Sequence, residues 1–251
     1  MRNLTLICAL FVACLTLHKP ASATWTCADG ATGCTVTTAR NCSVAGTSCV
    51  ITVGSTTAGS IEVVCEQSAQ TTVTVTVTGD GTWVTPVGSH GTDTAGGSVE
   101  CAYNLNATGA ATSITCTFSS SASSQCEFLR FTKTGSSITF DTSALIDDTV
   151  ACTACAGAAL TLGTANNYIL IQSSSCGGTC SAINQSYTGG FFGGDGYAYK
   201  MNVSSAGVTP SWTMVSSTMA GGAIAIYEVV AGGAAVISVD KRRKLQELGV
   251  I

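Results

Sequence analysis

The sequence predicts an all-β, antiparallel domain stapled by disulfides, and three observations predict it. Short stretches of alternating apolar and hydroxyl side chains recur at close spacing from residue 49 onward, punctuated by Gly, Asp and Ser. That is the texture of a sandwich or barrel, without long helical periods between the strands. The fourteen cysteines become twelve once Cys8 and Cys14 are set aside with the leader, an even number suited to full pairing. Only 10% of residues are charged while 45% are apolar, so solvent-facing positions fall to Thr, Ser, Asn and Gly and the chain is apolar enough to fold.

Taken in order, residues 1–23 have the layout of a secretory signal peptide. Arg2 precedes an apolar run from Leu4 to Leu17, and Ala21-Ser22-Ala23 forms a small-residue exit. The expected location is therefore extracellular, with the cell surface or periplasm included. Residues 24–54 read as a cysteine-rich arm holding Cys27, Cys34, Cys42 and Cys49, loop-like until a first strand at Cys49–Val53. Residues 55–239 form the expected β-sandwich domain, and 240–251 a basic tail.

Strand signals follow at Ile61–Glu66, Thr71–Thr78, Thr82–Val87, Ser98–Asn104, Thr112–Ser119, Gln125–Phe131, Ser136–Phe140, Ala158–Leu162, Asn167–Gln172, Tyr197–Val203, Ser211–Val215, Ala223–Val230 and Ala234–Val239. The clearest is T-T-V-T-V-T-V-T. Its Val73, Val75 and Val77 share one face and its threonines the other, and Gly79-Asp80-Gly81 supplies residues suited to a tight hairpin turn. Ser119–Ser124 reads as a loop. Parity also places cysteines: Cys65 shares a face with Ile61 and Val63, Cys101 with Val99 and Tyr103, Cys116 with Ile114 and Phe118, and Cys126 with Phe128. Half-cystines on apolar faces point inward; connectivity stays open.

Between residues 150 and 200, Cys152-x2-Cys155 and Cys176-x3-Cys180 bracket two apolar runs that look like a hairpin. The spacing approaches that of a zinc ribbon. Export and the other cysteines favour two disulfides instead, local or clasping the hairpin ends, and no metal is implied.

From Gly59 to Val229 the pieces G-S-I-E-V-V, V-T-V-T-G-D-G-T-W-V, A-Y-N-L-N-A-T-G, C-E-F-L-R-F-T, N-N-Y-I-L-I, G-D-G-Y-A-Y-K, P-S-W-T-M and G-G-A-I-A-I-Y-E-V resemble a jelly-roll-like β-sandwich module of secreted bacterial and phage tail-type surface proteins. The resemblance implies a jelly-roll-like antiparallel sandwich with an adhesion, surface or appendage role. No catalytic motif and no cofactor come with it.

Candidate chemistry is sparse. His90 has only Asp93 nearby as an orienting carboxylate, and reads as a loop histidine rather than a catalytic base. Glu62, Glu66, Glu100, Glu127, Asp147 and Asp148 are too scattered for a glycosidase pair. Asp141, Asp147 and Asp148 read as turn acids rather than calcium ligands. Acceptor patterns for N-glycosylation occur at Asn41, Asn106, Asn184 and Asn202 and fit surface loops. The richest binding candidate is the aromatic run of Tyr187, Phe191, Phe192, Asp195 and Tyr197 with Trp212, whose rings would stack on sugar faces while Asp195 and Asn184 hydrogen-bond hydroxyls.

Between Thr24 and Asp240 four basic side chains stand against thirteen acidic ones, a net of −9, which argues against nucleic-acid binding. Ala220–Val239 followed by K-R-R-K has the outline of a membrane span, but Glu228 at its centre would cost roughly 2 to 3 kcal/mol. A closing hairpin turning at Ala231-Gly232-Gly233 is the better reading, with Leu245, Leu248, Val250 and Ile251 of the tail available to a partner or sister subunit. The expectation is a secreted, non-enzymatic protein for surface adhesion or recognition, with an extracellular glycan as partner. A subunit of a virion, tail fibre or extracellular filament and a secreted glycan hydrolase are the alternatives.

Overall fold

Most strands pair with partners distant in the chain, and among the described residues every pairing is antiparallel. The computed structural model describes residues 24–28, 34, 41–55, 57–132, 137–147, 150–163, 167–204 and 209–228. The leader, the Ala231–Gly233 turn, the strand expected at Ala234–Val239 and the basic tail lie outside the described residues. No α-helix occurs among the described residues.

The strands are β1 (Thr26–Cys27), β2 (Asn41–Thr52), β3 (Ile61–Ser68), β4 (Val75–Thr78), β5 (Gly91–Thr92), β6 (Ser98–Asn104), β7 (Ser113–Thr132), β8 (Ile138–Asp147), β9 (Cys152–Ala156), β10 (Asn167–Cys176), β11 (Cys180–Ile183), β12 (Thr188–Phe192), β13 (Asp195–Val203), β14 (Ser211–Ser217) and β15 (Met219–Glu228). The first seven build one sheet, ordered β1-β7-β3-β6-β5 with β2 and β4 also on β7. The rest build a five-stranded sheet, β12-β13-β10-β15-β8, and a three-stranded one, β11-β14-β9.

Strand parity sorts side chains into three cores. Ile61, Val63 and Leu129 of the first sheet meet Ile169, Ile171, Tyr197 and Ile224 of the second in a central core. Val64 and Phe128 face the other way, onto Val75, Ile114 and Cys116. Tyr168, Leu170 and Ala223 likewise face Trp212 and Met214 of the three-stranded sheet. β3 and β10 are therefore covered on both faces, which is why burial runs without alternation along β3 and from Tyr168 to Ser175 of β10, polar residues included.

Six disulfides join Cys27–Cys34, Cys42–Cys49, Cys65–Cys101, Cys116–Cys126, Cys152–Cys155 and Cys176–Cys180. Cys65 and Cys101 are directly opposed on β3 and β6, pointing inward as parity requires. Two others reveal a corner. Seven residues of straight strand would span about 23 Å, yet the Cα atoms of Cys42 and Cys49 in β2 are 5.8 Å apart. In β7, Cys116 and Cys126 are 6.8 Å apart. Both strands fold back together, with the register slipping between Gly46 and Ser48 of β2.

Several expectations change. Ser119–Ser124 is this corner of one long β7, not a loop between two strands, because β2 turns with it and keeps most of its backbone groups paired. Residues 41–52, expected to be mostly arm, are a full strand of the body. Trp25 of the arm is buried in the central core and donates its ring N–H to the Asn167 carbonyl at 3.0 Å. Residues 82–87 contribute only a bridge at Val84 to Tyr103.

Gly79-Asp80-Gly81 does adopt positive φ, but β4 pairs with β7, so no hairpin follows. Instead Asp80 Oδ1 accepts hydrogen bonds from Thr108 Oγ1 at 2.7 Å and Gly109 N at 2.9 Å, locking two loops together. The cysteine-bracketed hairpin is absent as well. β9 lies in the three-stranded sheet and β10 in the five-stranded one. The Ala158–Leu162 run is no strand: the Gln172 amide takes the place of a ladder, accepting from Ala158 N at 3.1 Å and donating to its carbonyl at 2.9 Å.

Removing the corner clamp in β7 with the double substitution Cys116→Ser/Cys126→Ser is expected to cost about 3 kcal/mol, read from the denaturant midpoint. Asp80→Ala is expected to cost about 1 kcal/mol, read from the same midpoint, by removing the shared acceptor of the part-buried Thr108 and Gly109 donors.

Candidate functional site

The aromatic run from Tyr187 to Trp212 does not assemble into a platform. Phe192 faces Asp195 across β12 and β13 with only Gly193 and Gly194 between them, both at positive φ (62° and 103°). These glycines make a two-residue hairpin turn, which demands that backbone geometry, and so are not there to admit a ligand. Gly196 serves packing: a Cβ there would run into the Trp212 ring and Ser174 Oγ.

Trp212 and Tyr197 are both fully buried, and they sit in different cores on opposite sides of the five-stranded sheet. The Tyr197 hydroxyl donates to the Val63 carbonyl at 3.2 Å. Tyr187 is buried beside Trp212, with Lys200 Nζ 5.9 Å from its ring centre. Asn184 is exposed, but its Oδ1 is already engaged, accepting from Ser211 N at 2.7 Å. Phe191 alone of the set is well exposed, at 39%, its ring edge-on to Trp212 with centroids 6.2 Å apart. Phe192 is half-buried.

Asp195 belongs to an interior seam. Its Oδ1 accepts from Cys176 N at 2.8 Å and its Oδ2 from Gln125 Nε2 at 2.9 Å. Gln125 also donates to Gln67 Oε1 at 2.8 Å, and Gln67 donates to Ser173 Oγ at 2.9 Å. This chain of amides ties the first sheet to the second. Burial pushes the Asp195 carboxyl up to about 6, against the pull of the Cys176 N–H.

The other acids are interior too. Glu66 and Glu100 stand directly opposite each other on β3 and β6. Burial raises Glu66 well above the usual carboxylate range, with Glu100 and Asp195 adding to it. Glu100 is raised by burial although Val75 N donates to its Oε2 at 2.6 Å. Glu127 is raised by burial and then by Asp195. Glu62 meets Arg130 at 3.1 Å in a fully buried ion pair. These carboxyls are enclosed between the sheets, and burial is the largest cause of the upward shift in each.

His90 and Asp93 do not form a dyad. The His90 Nδ1 lies 4.0 Å from Glu100 and its Nε2 3.2 Å from the Thr71 carbonyl, while Asp93 Oδ1 accepts from Gly97 N at 2.7 Å. Asp141 accepts from Gly163 N and the Tyr168 hydroxyl, both at 2.8 Å, and Asp147 from Thr92 N at 2.6 Å. These two acids brace separate loops; Asp148 lies outside the described residues.

What remains at the surface is a sheet face that sequence reading did not assemble. β2 and β4 flank the first half of β7 on either side. Ser48 and Thr76 both oppose Thr117, Val50 and Thr78 both oppose Thr115, and Thr52 opposes Ser113. Thr74, just before β4, donates its N–H to Ser119 Oγ at 3.0 Å and continues the array. Thr115 is half-buried and the others are exposed. The alternate residues, among them Cys49, Ile51, Ile114, Phe118, Val75 and Val77, are buried beneath. Each strand's alternation was visible in sequence; their adjacency was not.

Fold and surface define a disulfide-stapled, all-β protein of stacked antiparallel sheets. Compared with known protein families, curated proteins and solved structures, the chain matches none.

Because the folded chain holds its carboxyl protons more tightly than the unfolded chain, it binds more protons over the window between their ordinary and raised values. Stability then falls as pH rises through that window. The thermal midpoint is expected to be highest near pH 4 and to decline through about pH 6, where Asp195 titrates, with Asp195→Asn flattening that part of the profile. A midpoint that climbs over this range would contradict the assignment. Trp212→Ala is expected to cost about 3–5 kcal/mol of stability, measured by chemical denaturation, since the ring fills a core.

Proposed function

We propose that this chain is an exported, non-enzymatic contact protein for surface adhesion or recognition, with glycans as its ligand class. The observation that carries the reading is the division of side chains between interior and surface. The clustered acids are interior, whereas the β2–β7–β4 face is regular, exposed and without a charged side chain at any of its positions. Hydroxyl groups on a pleated surface exchange hydrogen bonds with hydroxylated ligands at little desolvation cost, because no ion must be stripped of water. Six disulfides favour an oxidising compartment, in keeping with the leader-like first 23 residues. The resemblance to jelly-roll-like surface modules points to the same role.

Purified, oxidised Thr24–Ile251 is expected to be retained by at least one member of a panel of soluble glycans and insoluble polysaccharides, without releasing reducing ends from any of them. No retention together with self-assembly into filaments would favour the structural-subunit alternative; release of reducing ends would favour the hydrolase.

A further inference from the structure

We propose that the outer face of β2, β7 and β4 is a binding plate for the solid surface of an uncharged polysaccharide, engaged as an extended lattice and not as single chains. The inference rests on the glycan reading above and adds where the ligand sits and in what physical form it is bound.

Register makes the plate a grid. One row runs Ser48, Thr117, Thr76 and the next Val50, Thr115, Thr78, each directly opposed across the three strands. Strands stand about 4.8 Å apart and alternate residues along each strand about 6.7 Å apart. Only Val50 in these rows lacks a hydroxyl. Among the described residues, no hydrogen bond engages the hydroxyls of Ser48, Thr76, Thr78 or Thr117, so they are available to a ligand.

The grid is also stiff. Threonine is restricted at χ1 by its branched Cβ. Directly beneath it, Cys49 and Cys116 are opposed and each is tied by its own disulfide around the corner. A surface ordered in advance loses little entropy on binding.

Charge selects the partner class. The absence of Lys and Arg from the rows disfavours nucleic acid and anionic lipid, which are held by basic groups. Each hydroxyl contact only replaces a bond to water, so any one contributes little. A soluble oligosaccharide covering a few positions gains too little to offset the loss of its own freedom. An extended hydroxylated face meets all the rows at once, in one docking event, and binds.

The test is co-sedimentation of the oxidised chain Thr24–Ile251 with microcrystalline cellulose and with chitin, with and without a soluble cello-oligosaccharide as competitor. Thr76→Lys/Thr117→Lys places two solvated cations on the grid, and Thr213→Lys, exposed on β14 of another sheet, is the control. Circular dichroism and the denaturant midpoint confirm that each variant is folded. The expected result is sedimentation of wild type and the control, a tenfold or greater loss for the double variant, and no effect of the soluble competitor. Retention of the double variant at wild-type level, or displacement by the soluble sugar, would overturn the plate while leaving the adhesion reading intact. Absence of binding to every glycan, soluble or solid, would overturn both. If the double substitution instead abolishes inhibition of ice recrystallisation by a chain that binds no polysaccharide, the occupant is ice and the proposal fails.

Discussion

Two strands have to turn the same corner for this molecule to exist. β7 pairs with β3 along its second half and with β4 along its first, and β2 accompanies it through both. A long strand that doubles back in this way exposes backbone groups at the bend and strains its ladder. The two disulfides hold the bend from within, each joining the arms of one strand. Once the corner is held, the first half of β7 lies over the second, and Val64, Phe128, Ile114 and Cys116 gain a core between them. The outer hydroxyl face lies directly over that core.

The same stacking explains why acids lie inside. Strands β3, β6 and the second half of β7 have sheet neighbours on both faces, so any polar residue they carry is interior whichever way it points. Those polar residues gather toward the Ser68, Ser98 and Ser124 end, where Gln67, Gln125 and Asp195 bond across the sheets. Amides can satisfy one another without charge, and carboxyls in the same place hold protons, because ionising them in a poorly solvated interior is costly. Glu62 has Arg130 beside it, and burial still outweighs that pairing and pushes its carboxyl up to about 7. With charge withdrawn to the interior, the body's surface is left largely to hydroxyl and small apolar groups.

Local alternation was legible in the sequence and tertiary adjacency was not. V-T-V-T-V-T marked its valines as inward and its threonines as outward, and S-I-T-C-T-F-S did the same for its cysteine, because the two-residue period is a property of one strand. β6 was bounded to the residue and β3 at its start, although burial on both faces leaves neither an alternating exposure. The aromatic run misled because G-G-F-F-G-G-D-G-Y carries two signals at once. Its glycines suit a ligand's approach and a hairpin turn equally, and only the Phe192–Asp195 pairing and the Trp212 ring against Gly196 distinguish them.

Composition, parity and an even cysteine number thus determined the class: an antiparallel β body, its sulfurs facing inward and its threonines outward. The tertiary structure alone decided that Ser119–Ser124 is a corner, that Cys42–Cys49 and Cys116–Cys126 pair along the bent strands, and that three separate threonine- and serine-bearing segments share one face. A strand's period is set by neighbouring bonds, whereas the choice of strand partner is made by long-range burial, which no short stretch of sequence contains.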